Sequence, residues 1–141
     1  MDRRDFIKKG CFTCLAIGAG AAMSSLQSCS TLSVIKAYEQ DGKIEVDLLQ
    51  FPADKNVLLL RTSKLEYDIL LIKRVDNTYN ALYMECTHNA NPLSPTSSRI
   101  LCSLHGSEFD MEGNVKIGPA KEKLRSFPVQ LIGNKIIITV S

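Results

Sequence analysis

Two short motifs constrain this chain of 141 residues more than any other feature. The first reads Cys86-Thr87-His88, and the second, after thirteen intervening residues, reads Cys102-Ser103-Leu104-His105. Thiolates and imidazoles are ligands for soft and borderline metals. Each motif lets one tight turn offer one ligand of each kind. The sequence therefore predicts a metal centre with two sulfur and two nitrogen ligands.

A structural zinc site is the non-redox alternative for two Cys and two His. Zinc sites usually place like ligands together, as Cys-x₂₋₄-Cys and His-x₃₋₅-His. This chain alternates Cys and His instead, and Cys86-x-His88 is too short to chelate one tetrahedral zinc comfortably. The alternation favours an iron–sulfur cluster in which two His replace two Cys on one iron.

The segment from Cys102 to Ala120 extends the match. It reads Cys-Ser-Leu-His-Gly-Ser-Glu-Phe-Asp-Met-Glu-Gly-Asn-Val-Lys-Ile-Gly-Pro-Ala. This closely resembles the Rieske iron–sulfur family, whose second loop runs Cys-x-x-His-Gly-Ser-x-Tyr/Phe-Asp, followed by Gly and then Gly-Pro-Ala. The resemblance implies one [2Fe-2S] cluster per chain, with thiolates on the inner iron and neutral imidazoles on the outer iron. The implied metal ligands are Cys86, Cys102, His88 and His105.

The resemblance also implies roles for residues around the cluster. Gly118, Pro119 and Ala120 correspond to a loop that lies over the cluster and shields it from water. Ser107 is expected to donate its hydroxyl hydrogen to a bridging sulfide, which stabilises the reduced state and raises the potential. The alternative is a purely structural role, in which Ser107 is a turn serine that caps the backbone.

Several residues depart from the pattern of the high-potential members. Phe109 stands where those members have Tyr, so a hydrogen bond to a cysteine sulfur is lost. Asn91 and Leu104 stand at or near the positions of an additional bridging Cys pair. Ala90 and Ser103 replace the more common Gly and Pro. We therefore expect a cluster-tuning role for Ser107 and Phe109 and a potential of roughly 0 to +200 mV, within the family span of about −150 to +300 mV.

Short apolar runs separated by turn residues predict an all-β domain. The resemblance implies a Rieske-type antiparallel β-sandwich with a small inserted cluster-binding subdomain at about 84–120. The turns are expected at Asp41-Gly42, Asp76-Asn77 and Gly133-Asn134. Strands are expected at 33–40, 43–49, 57–61, 67–74, 79–85, 129–132 and 135–140.

The N-terminus resembles a twin-arginine export signal. Residues 2–8 read Asp-Arg-Arg-Asp-Phe-Ile-Lys, with Arg3 and Arg4 as the arginine pair, and a Gly/Ala-rich, weakly apolar stretch follows over 10–25. The twin-arginine route carries folded proteins, so a cluster inserted in the cytoplasm would survive export. The alternative is a basic N-terminal helix of a cytoplasmic protein.

Leu26-Gln27-Ser28-Cys29 resembles a lipobox. We expect residues 1–28 to be a signal cleaved before Cys29, with Cys29 lipidated and 29–141 forming the Rieske domain. Two acyl chains on Cys29 are enough for stable membrane anchoring. The alternative is a retained membrane helix over 10–28, which is short and poor in large apolar residues for a span of about 20. Both alternatives place the domain on the periplasmic face of a bacterial membrane.

Charge and histidine content narrow the functional classes. The presumed signal holds four basic and two acidic residues, which leaves thirteen of each in the rest of the chain. Nothing indicates nucleic-acid binding. A Rieske oxygenase needs two further His and a carboxylate for its catalytic iron, but the chain has only two His, and the cluster uses both.

The expected function is therefore electron transfer without substrate chemistry of its own. Ferric iron acidifies a bound imidazole and reduction relaxes that effect, so electron uptake should couple to proton uptake at alkaline pH. The expected partners are a quinol, or a quinol- or molybdenum-dependent oxidoreductase or a cytochrome. Two alternatives stay open: the iron–sulfur subunit of a quinol-oxidising cytochrome bc-type complex, and the small Rieske subunit of a periplasmic molybdenum oxidase.

Overall fold

A computed structural model describes residues 32–141 of the chain. The predictions for the export signal at Arg3 and Arg4 and for lipidation at Cys29 lie outside the described residues. Within 32–141, no helix has the length and hydropathy needed to cross a bilayer.

The described residues form thirteen strands and one 3-10 turn, Leu48–Gln50. The strands are β1 Val34–Lys36, β2 Glu39–Gln40, β3 Lys43–Asp47, β4 Val57–Arg61, β5 Ile69–Lys73, β6 Tyr79–Tyr83, β7 Ser94–Pro95, β8 Ile100–Leu101, β9 Glu108–Phe109, β10 Val115–Ile117, β11 Ser126–Phe127, β12 Val129–Ile132 and β13 Lys135–Thr139. They make three sheets: a central sheet of order β1-β4-β5-β6-β11, an outer sheet of order β12-β13-β3-β2, and a small sheet of order β10-β9-β8-β7. The predicted all-β sandwich with an inserted subdomain is confirmed.

The central sheet is covered on both faces, and this explains the continuous apolar runs of β4 and β5. Leu58 and Leu60 of β4 lie in the core shared with the outer sheet, whose strands contribute Ile44 and Ile136 among others. Leu59 of the same strand lies in a second core that also contains Cys86, Cys102 and Phe109. A strand buried on both faces reads as an unbroken hydrophobic run rather than as an alternation. Burying each such Leu contributes about 1.5–3 kcal/mol.

The small sheet is an insertion between β6 and β11. These two strands pair with each other, Ser126 opposite Leu82 and Phe127 opposite Ala81. The chain therefore leaves the central sheet and returns to it at neighbouring strands. Both ends of the inserted segment are held by the same hydrogen-bonded ladder, which fixes its position on the sandwich.

The predicted turns are present, and one predicted strand is not continuous. Asp41 and Gly42 both have positive φ, 51° and 71°, as the tight turn between β2 and β3 requires. The expected strand 33–40 is divided into β1 and β2, which belong to different sheets. Strand β1 pairs with β4 in parallel, so the sandwich is not antiparallel throughout. Strand β11 was not predicted, because a two-residue strand carries no periodicity.

Candidate metal centre

The first ligand loop, residues 86–91, follows β6 and is closed by two backbone hydrogen bonds. The Cys86 N–H donates to the Asn91 carbonyl at 2.8 Å, and the Ala90 N–H donates to the Cys86 carbonyl at 2.8 Å. Ala90 has a φ of 40°, in the left-handed region that favours Gly. These bonds fold the loop back on Cys86 and leave His88 at its outer turn.

The second ligand loop, residues 102–107, lies between β8 and β9 and repeats the same pattern. The Cys102 N–H donates to the Ser107 carbonyl at 2.8 Å, and the Gly106 N–H donates to the Cys102 carbonyl at 3.0 Å. Gly106 has a φ of 77° and occupies the place that Ala90 has in the first loop. The two motifs therefore adopt one backbone design, although the His is two residues after the Cys in one loop and three residues after it in the other.

The two predicted sulfur ligands meet in the interior. Cys86 and Cys102 are 1% and 2% exposed, and both are free cysteines. Burial alone would raise the pKa of the Cys102 thiol, but hydrogen bonds from the backbone N–H groups of His105 and Leu104 and from the Cys86 thiol outweigh it and lower the pKa. A site that favours the thiolate of Cys102 is suited to a metal ligand.

The two predicted nitrogen ligands meet at the surface. The ring centroids of His88 and His105 are 5.0 Å apart, and the rings are inclined by 79°. Both side chains are exposed, unlike the thiols beneath them. The site is thus divided, with sulfur on the protein side and nitrogen on the solvent side. We call His88, His105 and the neighbouring Leu104 the histidine edge.

Ser107 is fully buried at the end of the second ligand loop. Its Oγ accepts a hydrogen bond from the Ala120 N–H at 3.0 Å. Among the described residues, its own hydroxyl hydrogen has no acceptor. The oxygen is thus held in place while the hydrogen is left to point elsewhere, as the expected bond to a sulfide requires.

Comparison with known protein families decides between the metal centres. The model of the Rieske [2Fe-2S] domain matches residues 37–128, which is more than half of the chain. The chain belongs to the Rieske [2Fe-2S] family. Members of this family bind a [2Fe-2S] cluster, so the resemblance carried by the two motifs is confirmed. No curated protein sequence matches the chain significantly.

Two solved structures with TM-scores above 0.5 share this fold at low sequence identity, and a third gives a lower score. A chain from the complex of reduced oxygenase and oxidized ferredoxin in carbazole 1,9a-dioxygenase is 16% identical, with a TM-score of 0.54, covering 71% of this chain and 94% of that one. The quaternary ammonium Rieske monooxygenase CntA is 17% identical, with a TM-score of 0.51, covering 63% of this chain and 30% of that one. The cyanobacterial plasma membrane Rieske protein PetC3 from Synechocystis PCC 6803 is 22% identical, with a TM-score of 0.48, covering 69% and 85%.

The arrangement of donor groups fits a Rieske cluster. Across residues 32–141, no three Cys, His, Asp or Glu side chains converge on a point that could hold one ion. A two-iron cluster needs only two protein ligands on each iron, which a buried Cys pair and an exposed His pair supply. A third feature that agrees with a Rieske cluster is the hydroxyl hydrogen of Ser107, which has no acceptor among the described residues. Cys86, Cys102, His88 and His105 would hold the cluster, which exchanges one electron when bound.

The expected covering loop lies next to this site. Ala120 is 4% exposed and packs in the same core as the two cysteines, whereas Gly118 and Pro119 are exposed. The bond from the Ala120 N–H to Ser107 attaches this loop to the second ligand loop. The segment 118–120 therefore contacts the site through its last residue, and its covering role stays a prediction.

The positions that depart from the high-potential pattern are also visible. Phe109 is fully buried beside the cysteines and offers no hydroxyl. Leu104 is 62% exposed on the histidine edge. The amide Nδ2 of Asn91 is buried without a hydrogen-bond partner among the described residues. A Cys pair between the two ligand loops is absent from the sequence at these positions.

Two further residues hold the first ligand loop, and the sequence motifs did not indicate them. The Tyr67 hydroxyl, from the turn before β5, donates to the Ala90 carbonyl. The Thr87 Oγ1 donates to the Glu122 carbonyl at 2.6 Å. Both contacts join positions more than twenty residues apart, so no local pattern could have revealed them. They attach the loop to the sandwich on one side and to the segment 120–122 on the other.

Proposed function

We propose that this Rieske protein is an electron carrier on the periplasmic face of a bacterial membrane. Its cluster exchanges single electrons with a quinol or a periplasmic oxidoreductase system, and it performs no substrate chemistry of its own. The observation that carries the proposal is the division of the site into a buried Cys pair and an exposed His pair.

The exposed His pair supports direct electron exchange at the surface. His88 and His105 place the outer iron's ligands in contact with solvent, so a partner can approach that iron through two imidazole rings. An exposed imidazole N–H can also hydrogen-bond a quinol oxygen. Where that nitrogen has lost its hydrogen, it would instead accept a proton from the quinol, and the bound cluster would supply the one-electron acceptor.

The export signal and lipid anchor belong to the same proposal. Arg3 and Arg4 direct the folded, cluster-loaded protein to the twin-arginine route, and cleavage before Cys29 leaves a lipidated N-terminus. The support for this comes from the sequence of residues 2–29, beside a domain that starts at Leu32 as a compact unit. Export after folding agrees with a cofactor whose ligands come from two separate loops.

Electron paramagnetic resonance of the dithionite-reduced protein tests the cluster assignment. We expect a rhombic signal with a low average g value, which mixed His and Cys ligation produces. His88→Ala and His105→Ala should each abolish it, whereas Asn89→Ala, an exposed neighbour in the first ligand loop, should retain it. A silent sample with stoichiometric zinc would contradict the electron-transfer function.

Metabolic labelling with a fatty acid tests the location. The wild-type chain should incorporate label and sediment with membranes, and Cys29→Ala should do neither. Arg3→Lys/Arg4→Lys should leave the protein in the cytoplasm with its cluster inserted. Label in the Cys29→Ala variant, or export of the double-Lys variant at the wild-type level, would contradict this part of the proposal.

A further inference from the structure

A basic segment, residues 116–125, follows β10 in a domain whose formal charge is otherwise not positive. It contains Lys116, Lys121, Lys123 and Arg125 against the single acidic residue Glu122, and all five side chains are exposed. Residues 32–141 hold thirteen basic and thirteen acidic side chains in total. The excess of positive charge here is therefore balanced by negative charge elsewhere, so the domain is electrically asymmetric.

The centre of this segment lies against the candidate metal centre. The Glu122 carbonyl accepts the hydrogen bond from Thr87, the residue beside His88, at 2.6 Å. Lys121 and Lys123 flank Glu122, so both lie within one residue of a contact with the first ligand loop. This contact holds the backbone of both lysines close to the first ligand loop.

The lysine charges are not neutralised by neighbours. No ion pair formed within residues 32–141 includes Lys121 or Lys123. Glu108, the acidic residue within the strands of the small sheet, is paired with Arg99 at 3.5 Å. Apart from Glu122 itself, the two lysines are therefore available to an external anion.

We propose that the redox partner of this protein is an acidic protein that presents carboxylates to Lys121 and Lys123 while it covers the histidine edge. The inference rests on the proposed electron-transfer function and specifies the chemistry of the partner. Complementary charge steers encounter and fixes orientation, and it adds most to the association rate. One electron passes from the reduced cluster to a one-electron acceptor, and no bond is made or broken.

The segments around the candidate metal centre also carry two exposed apolar side chains. Leu104 is 62% exposed and Ile117 is 53% exposed, one in the second ligand loop and the other just before Gly118. Weak, short-lived electron-transfer contacts are small, and they combine a few apolar side chains with charged ones. The apolar residues would exclude water from the histidine edge, and the lysines would select the partner.

Stopped-flow oxidation of the reduced full-length protein tests the charge selection with two small probes. Ferricyanide is an anion, and tris(bipyridine)cobalt(III) is a cation. For the wild-type protein we expect the ferricyanide rate constant to fall with rising salt. Lys121→Glu/Lys123→Glu should lower that rate constant about tenfold at low ionic strength and raise the rate constant of the cobalt complex.

A matched variant controls for net charge. Lys36→Glu/Lys43→Glu changes the same formal charge at two exposed lysines of β1 and β3, which line one pocket in a different part of the domain. It should leave both rate constants near the wild-type values. Equal effects of the two double variants would overturn the proposal, because they would show that only total charge matters.

Competition identifies the kind of anion. Poly-L-glutamate should slow the ferricyanide reaction of the wild-type protein but not that of Lys121→Glu/Lys123→Glu. Inhibition by soluble dihexanoyl phosphatidylglycerol without inhibition by polyglutamate would overturn the proposal in favour of a lipid headgroup. Paramagnetic resonance distinguishes failure of this proposal from failure of the electron-transfer function. A wild-type protein without the rhombic signal would refute the electron-transfer function itself. Variants that keep the signal but show unchanged rate constants would refute only the acidic partner.

Discussion

The hydroxyl of Ser107 offers the sharpest test of how this protein sets its reduction potential. Ser107→Ala removes one oxygen atom from a fully buried site and leaves the carbon framework in place. The oxidised cluster with two thiolates is formally neutral, and the reduced cluster carries one negative charge. A donor that points at a bridging sulfide therefore stabilises the reduced state more, and its removal should lower the potential.

The size of the shift follows from the two charge states. A hydrogen bond to a charged group contributes about 1.5–3 kcal/mol, and one between neutral groups contributes about 0.5–1.5 kcal/mol. The difference of about 1–1.5 kcal/mol acts on the potential, and 1.4 kcal/mol corresponds to about 59 mV for one electron. We expect Ser107→Ala to lower the midpoint potential by about 40–60 mV.

A redox titration followed by paramagnetic resonance measures this shift, with Ser103→Ala as the control. Ser103 lies in the same ligand loop but is exposed, and its hydroxyl should not matter. Ser107→Ala also deprives the Ala120 N–H of its acceptor, so its unfolding free energy should fall as well. A midpoint within about 10 mV of the wild-type value, with an intact signal, would refute the reasoning, since about 40 mV is expected. So would an equal shift in Ser103→Ala.

Three further predictions concern the loops around the cluster. Gly106→Ala should reduce the free energy of unfolding by about 1 kcal/mol in urea titrations, because its φ is 77°, although a Cβ there meets no atom within 4 Å. Ala90→Gly should raise the free energy of unfolding, because Ala90 also has a positive φ. Changes of the same sign in the two variants would contradict this prediction. Tyr67→Phe should accelerate cluster loss about fivefold in bleaching at visible wavelengths, since one hydrogen bond to the first ligand loop disappears, whereas Tyr38→Phe, at an exposed residue, should not. Partial burial would raise the pKa of Asp110, but hydrogen bonds from Asn114 and from the Glu112 N–H outweigh it and lower the pKa. Asp110→Asn should therefore destabilise the protein at pH 7, and the difference from wild type should shrink as pH falls through that lowered pKa. A difference that is independent of pH would contradict this prediction.

Both halves of the expected ligand set could be proposed from the sequence because each half is local. Cys86 and His88 lie on one turn, as do Cys102 and His105, so their spacing alone reports the chemistry. The strands with strong patterns were predicted for the same reason, and Val57–Arg61 was expected at the bounds that β4 has. Their apolar runs are continuous because the insertion covers the second face.

The connections between distant segments could not be predicted in this way. Strand β1 adds to the central sheet in parallel beside β4, a choice that depends on the free edge of β4 and not on the pattern of 34–36. The bonds from Tyr67 to Ala90 and from Thr87 to Glu122 each join a side-chain hydroxyl to a backbone carbonyl of a distant segment. Such contacts are specified by the finished fold, since hydroxyl groups carry no periodicity.

These connections explain how the chain positions its ligand loops without a covalent bridge between them. A disulfide between the two loops would add about 2–4 kcal/mol to the free energy of unfolding. In this chain Asn91 and Leu104 stand at or near the positions where the high-potential members have the bridging Cys pair. Three hydroxyl hydrogen bonds attach the loops instead: from Tyr67 and Thr87 to the backbone of other segments, and to Ser107 from the Ala120 N–H. At about 1 kcal/mol each, they supply stabilisation of the same order.

A disulfide and these three hydrogen bonds differ in what they attach each ligand loop to. A disulfide would join the two loops to each other, whereas these bonds join the first loop to the turn before β5 and both loops to the segment 120–122. The position of each ligand loop is therefore set by the sandwich and by the segment 120–122. Since none of the three bonds contains a thiol, these attachments do not depend on the redox state of the surrounding compartment.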